Sequence, residues 1–269
     1  MSSSSSPPEA RALQQALAAE LYQALTERRV VAPLRVRYPH LTIEDAYAIS
    51  LGILARREQA GERVIGKKIG VTSRAVQDML GVHQPDFGFL TDRMQVADGG
   101  TVQIAAGMIQ PRAEAEIAFI LRHALKGPGV TPQQVLDATE SIAPCFEVVD
   151  SRIANWDIRI IDTVADNASC GVFVLGAERV DPRPLDLAAL RVRVWKNGAP
   201  LSEGLGSAVQ GSPLVSVAWL ANTLGHYGVE LRAGDVILSG SLVPLEPARA
   251  GDEFRLELES VGSARVSFA

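Results

Sequence analysis

The stretch RAEAEIAFIL, residues 112–121, places Glu114 and Glu116 two apart, with Ala113, Ala115, Ile117 and Phe119 filling the alternate positions. Successive side chains of a strand point to opposite faces, so this alternation predicts a strand with both glutamates on one face. Two neighbouring carboxylates repel, and burying them uncompensated is costly. Whatever fold the chain adopts must therefore set something positive against that face. A second strand-like run, PCFEVVD, places Glu147 between Phe146 and Val148, and a regular strand would turn Asp150 the opposite way. Three glutamates on two apolar strands suit a hard divalent cation such as Mg²⁺ or Mn²⁺, which takes oxygen ligands and keeps positions open for water or substrate. No His or Cys is spaced to join them, which disfavours zinc. The pattern alone leaves a second reading open, in which each glutamate pairs with an arginine such as Arg112 or Arg152, or faces solvent on an edge strand.

Composition narrows the class. The formal charge is −5 with no basic cluster, which argues against nucleic acid. No apolar run approaches the roughly 20 residues of a membrane span. The opening MSSSSSPPEA lacks the basic and apolar regions of a secretory signal, so residues 1–9 are expected to be a disordered tail and the protein cytoplasmic. Cys145 and Cys170 are then expected to be buried thiols in a reducing compartment. Leucines at 13, 17, 21 and 25 predict a helix from Pro8 to about Arg29. Thr42 with Asp45 caps a second helix that Gly61 stops, and SRAVQDML predicts a short helix closed by Gly81. From Gly100 onward strand signals dominate, from TVQIAA through DEFRLELESVGSARVSFA, with a hairpin turn at Asn197-Gly198. Helices interrupt at TPQQVLDAT, capped by Thr131, and at PLVSVAWLANTLGHYG. The expected architecture is α+β: a helical part over residues 10–62 and a β-rich core over 63–269.

Other candidate residues each carry a plainer alternative. Lys68 in VIGKKIGV shares its strand face with Gly66 and Gly70, which would leave room for a ligand or merely serve packing. GVHQPDFGFL reads as a Pro/Gly-punctuated loop holding His83 and Asp86; Asp86 could carry a proton or form a turn. DTVADNASCG, with Asp162, Asp166 and Asn167, reads as an acidic turn, and ILSGSLVPL offers Ser239 and Ser241 after a strand. No GxSxG, P-loop or GxGxxG is present, so serine-hydrolase and nucleotide readings lack support.

Taken together, GKKIGVTS, MLGVHQPDFGFLTDRM, IQPRAEAEIAFIL, PCFEVVDSRI, DTVADNASCGVFVLG, GSPLVSVAWLANTL and AGDVILSGSL resemble the 2-keto-4-pentenoate (2-hydroxypenta-2,4-dienoate) hydratases of the fumarylacetoacetase superfamily, over roughly residues 40–269. The resemblance implies a mixed β-roll core, a divalent metal (Mg²⁺ or Mn²⁺), a 2-hydroxydienoate or 2-oxo acid substrate and a cytoplasmic role in aromatic meta-cleavage catabolism. It implies Glu114, Glu116 and Glu147 as metal ligands, Lys68 and Asp86 as catalytic groups, and Ser239 and Ser241 beside the substrate. It also implies a homo-oligomer, pentamer or decamer, and an association with the family's sister decarboxylase. The rival readings are that sister, 4-oxalocrotonate decarboxylase, a C–C hydrolase of the superfamily, and a catalytically silent scaffold. A hydrolase would call for a general base such as a His–Glu pair, and the four histidines are scattered.

Overall fold

A computed structural model describes residues 7–80 and 82–269; the first six residues of the expected tail and the expected helix stop at Gly81 lie outside them. The helices are α1 (Pro8–Glu27), α2 (Leu34–Arg37), α3 (Ile43–Gln59), α4 (Arg74–Leu80), α5 (Ile104–Gly107), α6 (Pro132–Ala138), α7 (Ile160–Ala165) and α8 (Pro213–His226). The strands are β1 (Val64–Gly70), β2 (Asp86–Thr91), β3 (Gln95–Val96), β4 (Thr101–Val102), β5 (Arg112–Leu121), β6 (Thr139–Val149) and β7 (Cys170–Leu175). They continue as β8 (Arg191–Lys196), β9 (Ala199–Leu205), β10 (Val236–Ser241), β11 (Glu246–Pro247), β12 (Glu253–Leu258) and β13 (Gly262–Phe268). The α+β reading with a helical N-terminal part holds.

Local chemistry explains most boundaries. α1 buries Leu17, Ala18, Leu21 and Ala24 on one stripe, against α3. Thr42 and Asp45 form a reciprocal capping box at the start of α3, and Thr131 with Gln134 does the same for α6. Asn197 and Gly198 both have positive φ, as a tight two-residue hairpin turn between β8 and β9 requires.

Eight strands form the main sheet, in the order β2-β1-β10-β5-β6-β7-β3 with β11 on β5. β1–β10 and β3–β7 are parallel and the other pairs antiparallel. A second sheet runs β4-β13-β12-β8-β9. The larger core lies between the sheets and beneath the helices, where Phe254 stands edge-on to Phe146 and Phe268. A smaller core of Leu90, Ala118, Cys145, Phe173 and Leu238 lies on the other side of the main sheet. The registered pairs Glu116–Cys145, Ala118–Leu238 and Glu147–Phe173 put this small core on the face that carries the glutamates. That face is concave. In a flat sheet β2 and β7 would stand roughly 24 Å apart at about 4.8 Å per strand, yet a methyl added at Gly88 on β2 would lie 2.8 Å from Cys170 Sγ on β7. The rim closes where the Asn167 side chain accepts from Phe89 N (2.8 Å) and donates to Phe89 O (3.0 Å), standing in for a neighbouring strand on β2.

Four expectations need correction. TVQIAA is a strand only over Thr101–Val102, because its partner β13 runs out at Phe268, and the chain then turns into α5. Asp86 is the first residue of β2 rather than a loop residue: Pro85 has no N–H to give, so the ladder begins with Asp86 opposite Gly70. DTVADNASCG is α7 followed by a left-handed turn, with φ of 53°, 51° and 55° at Asn167, Ala168 and Ser169. Ser239 and Ser241 lie within β10, at an irregularity in its pairing with β5, rather than after it.

Candidate metal centre

Register across β5 and β6 sets Glu114 opposite Glu147, with Glu116 one step along on the same face. One carboxylate oxygen from each of the three lies within 4.8 Å of the other two. Glu116 and Glu147 are buried and Glu114 is partly exposed. Gly240 N donates to Glu116 Oε2 (2.7 Å). The Ser241 hydroxyl sits within reach of Glu114 and donates to Val243 O (2.7 Å). Glu116 Oε1 and Glu147 Oε2 are buried without a hydrogen-bond partner in the protein.

The arginine alternative does not hold. Arg152 is buried against Asp166 (2.5 Å), and Arg112 lies over the Trp156 ring, 4.5 Å from its centre. Asp150 accepts from the backbone of Ile109 (3.0 Å) and Gln110 (2.7 Å). Among the described residues, Lys68 is the cation in ion-pair range of the trio. Burial opposes its charge, but Glu147, Cys170, Asp86 and Glu114 together raise its pKa.

The electrostatics are those of a site short of positive charge. Burial, then the Glu147 charge, pushes Glu114 up to about 7. Burial, then Glu147 and Glu114, raises Glu116 well above the ordinary carboxylate range. Burial also raises Glu147, against the pull of Lys68. Cys145 lies on the same face, but burial raises its thiol pKa, so it offers no thiolate. Clustered hard oxygens with two orphaned buried atoms fit a divalent cation bound by carboxylates. In the ion-free protein the raised carboxyl pKa values favour folding at low pH, and that contribution is lost as pH rises through them. Binding an ion must displace those protons. The rise in melting temperature on adding Mn²⁺ should therefore grow between pH 6 and 8, across the value near 7 of Glu114. A rise independent of pH in thermal scans would contradict this.

Asp86 completes the group. It is buried; Oδ2 accepts from Thr163 Oγ1 (3.3 Å), and Oδ1 makes no well-formed hydrogen bond, though the Gly70 backbone N–H is near enough to favour the carboxylate. Burial raises its pKa and Lys68 opposes the rise. A methyl added at Gly70 would stand 2.3 Å from Asp86 Oδ1 and 3.4 Å from Lys68 Nζ. One added at Gly66 would meet Val236 O at 2.0 Å. The room that Gly66 and Gly70 leave is thus taken by β10 and by the Asp86 carboxylate. Ser239 is fully buried; its carbonyl accepts from Ser216 Oγ (2.7 Å) and its hydroxyl has no partner. His83 is exposed and lines an outer cavity of about 340 Å³ with Thr72, Gln77, Gln210 and Trp219. Sequence reading missed Thr163 and the role of Gly70. A glycine two residues after a strand lysine was the available signal for the second; nothing local marks the first.

The profile of the fumarylacetoacetate (FAA) hydrolase C-terminal family matches residues 60–269. This chain belongs to that family. A 2-hydroxyhexa-2,4-dienoate hydratase of Comamonas testosteroni is 62% identical over 249 residues, 92% of this chain and 94% of its own. A 2-hydroxypent-2,4-dienoate hydratase of Pseudomonas putida is 62% identical over 210 residues, 78% of this chain and 95% of its own. Among solved structures, a 4-oxalocrotonate decarboxylase from Pseudomonas putida G7, complexed with magnesium and adipate, superposes with a TM-score of 0.93. It is 36% identical, with 96% of this chain and 98% of that one covered. A second structure of that decarboxylase holds calcium and acetate.

Proposed function

We propose that this protein is a divalent-cation-dependent hydratase that converts 2-hydroxypenta-2,4-dienoate (2-oxopent-4-enoate) to 4-hydroxy-2-oxopentanoate in aromatic meta-cleavage catabolism. The observation that carries the reading is the Glu114–Glu116–Glu147 cluster, with unpartnered buried oxygens on Glu116 and Glu147 and with Lys68 and Asp86 beside it. The identity to two dienoate hydratases supports it over the decarboxylase.

Glu114, Glu116 and Glu147 would hold Mg²⁺ or Mn²⁺. When bound, the ion supplies Lewis-acid stabilisation of charge on the substrate's C2 oxygen. Lys68, fixed by Glu147, sets a second positive charge beside the developing enolate. Asp86 has one oxygen free in a buried setting that favours its protonated form, so it is suited to give a proton to C5 and to take one from the water that adds at C4. In balance, the C2 hydroxyl gives up its proton as C5 gains one, leaving a C2 ketone and a C3–C4 double bond. One water then adds across that bond, its hydroxyl to C4 and its proton to C3. At the bulge of β10 the unpartnered Ser239 hydroxyl would serve the substrate carboxylate, and the Ser241 hydroxyl would do so on leaving Val243 O.

Purified protein given 2-hydroxypenta-2,4-dienoate should consume the dienol absorbance and form 4-hydroxy-2-oxopentanoate with Mg²⁺ or Mn²⁺, and lose activity on chelation. Release of CO₂ from 4-oxalocrotonate, without hydration, would instead assign the sister reaction. The same reading carries a cytoplasmic homo-oligomer, a pentamer or decamer, able to associate with the sister decarboxylase; light scattering of the two proteins, apart and mixed, tests it. No helix of the described residues is long and apolar enough to cross a membrane.

A further inference from the structure

The helical N-terminal part lies almost wholly outside the stretch that matches the family profile, yet it packs against α7 and against Phe87, the neighbours of Asp86. α7 carries adjacent residues with opposite duties. Asp162, fully buried, accepts from Arg35 N (3.1 Å) and pairs with Arg35 Nη1 (2.7 Å), both from α2. Its neighbour Thr163 gives its hydroxyl to Asp86 Oδ2. α3 packs along α7, and Tyr47 on α3 stacks on Phe87, the residue after Asp86, at 4.3 Å between centroids and 11° between planes. A carboxylate that must present one oxygen in a fixed direction needs its other oxygen tied, since a free carboxylate turns about its last torsion with little resistance.

We propose that Thr163 is a positioning residue: its hydroxyl ties Asp86 Oδ2 and leaves Oδ1 free beside Lys68, and the Arg35–Asp162 pair holds Thr163 in that place. This rests on the reading of Asp86 as the proton carrier. The Thr163 hydroxyl bonds to Asp86 and not to a glutamate, so its loss should act on turnover and not on ion binding.

The test compares Thr163→Val, which keeps the shape and removes the hydroxyl, with Thr163→Ser, which keeps the hydroxyl, and Thr163→Ala in case the valine variant does not fold. Valine and alanine should lower kcat by roughly tenfold, as loss of one intramolecular hydrogen bond can, with KM and Mn²⁺ affinity within about twofold of the parent. Serine should restore kcat. Arg35→Met should lower kcat in the same sense, and Arg35→Met with Thr163→Val should cost no more than Thr163→Val alone. In protein carrying ¹³C-carboxyl aspartate, the Asp86 signal, assigned by its absence in Asp86→Asn, should move in the valine variant and return in the serine variant. Parent-like kcat in the valine variant, a serine variant no better than valine, or an unmoved Asp86 signal would overturn the proposal. Full activity of Asp86→Asn would instead overturn the proton-carrier reading, while the carboxyl signal still reports whether Thr163 ties it.

Discussion

Glu147→Gln and Glu116→Gln should both abolish divalent-cation binding, yet move the stability of the ion-free protein in different directions. Glu147 is the buried partner of Lys68, at 3.2 Å, and glutamine there strands an ammonium in the interior. Removing one member of a buried ion pair costs about 3–5 kcal/mol. Glu116 has no cation of its own, its Oε1 is orphaned, and burial with two like charges raises its pKa well above the usual range. Glutamine copies its protonated form and can still accept from Gly240 N. Glu116→Gln should therefore leave ion-free stability unchanged or raised, with activity down roughly a thousandfold in both variants as several kcal/mol of charge stabilisation disappear. Urea unfolding in chelator and calorimetric Mn²⁺ titration read the two effects separately. Equal destabilisation of both variants would mean that Lys68 does not depend on Glu147.

The second large effect comes from one methyl group. Gly70→Ala should lower kcat roughly a hundredfold, as misplacement of a reacting group by about 1 Å does, while Mn²⁺ affinity stays near that of the parent. Gly70 lies in extended strand without positive φ, so alanine suits its backbone. The new carbon would overlap Asp86 Oδ1 at 2.3 Å and crowd Lys68 Nζ at 3.4 Å. The glutamates lie on β5 and β6, and the atoms nearest the new carbon belong to Asp86 and Lys68. A variant with parent turnover would show that the placement of Asp86 does not matter to the chemistry.

The elements most legible in the sequence were those written in local pattern. The alternation through Glu114 and Glu116 located β5 and its acidic face, Thr42-Asp45 located the start of α3, and Asn197-Gly198 located the β8–β9 turn. What alternation could not say was what faces the acids. Excluding Arg112 and Arg152 needed the positions of Trp156 and Asp166, and the ligand and catalytic roles came from resemblance to a family. Asp86 was read as a loop residue because DFGFL has a glycine inside an apolar run and no clean period, and its ladder partner Gly70 is remote in sequence. The curvature that returns β2 to β7 belongs to the whole sheet, and local periodicity does not encode it. Thr163 was invisible for the same reason: its partner lies 77 positions away.

The parallel pairing of β1 with β10 also bears on how the protein is made. Lys68 pairs early with Gly88 on β2, but its other strand neighbour, Leu238 on β10, which ties β1 to β5 and β6, comes late in the chain, as does Gly240, from which Glu116 accepts. On the ribosome, β5 and β6 can zip together early as a long antiparallel pair. Their acids then wait without the backbone donor that β10 brings and without Lys68 locked in register. Such late, non-local closure is slow and leaves strand edges open. Divalent ions present during synthesis would screen the waiting acids, so the yield of folded chain in cell-free translation should depend on their concentration before any catalysis is asked of the product.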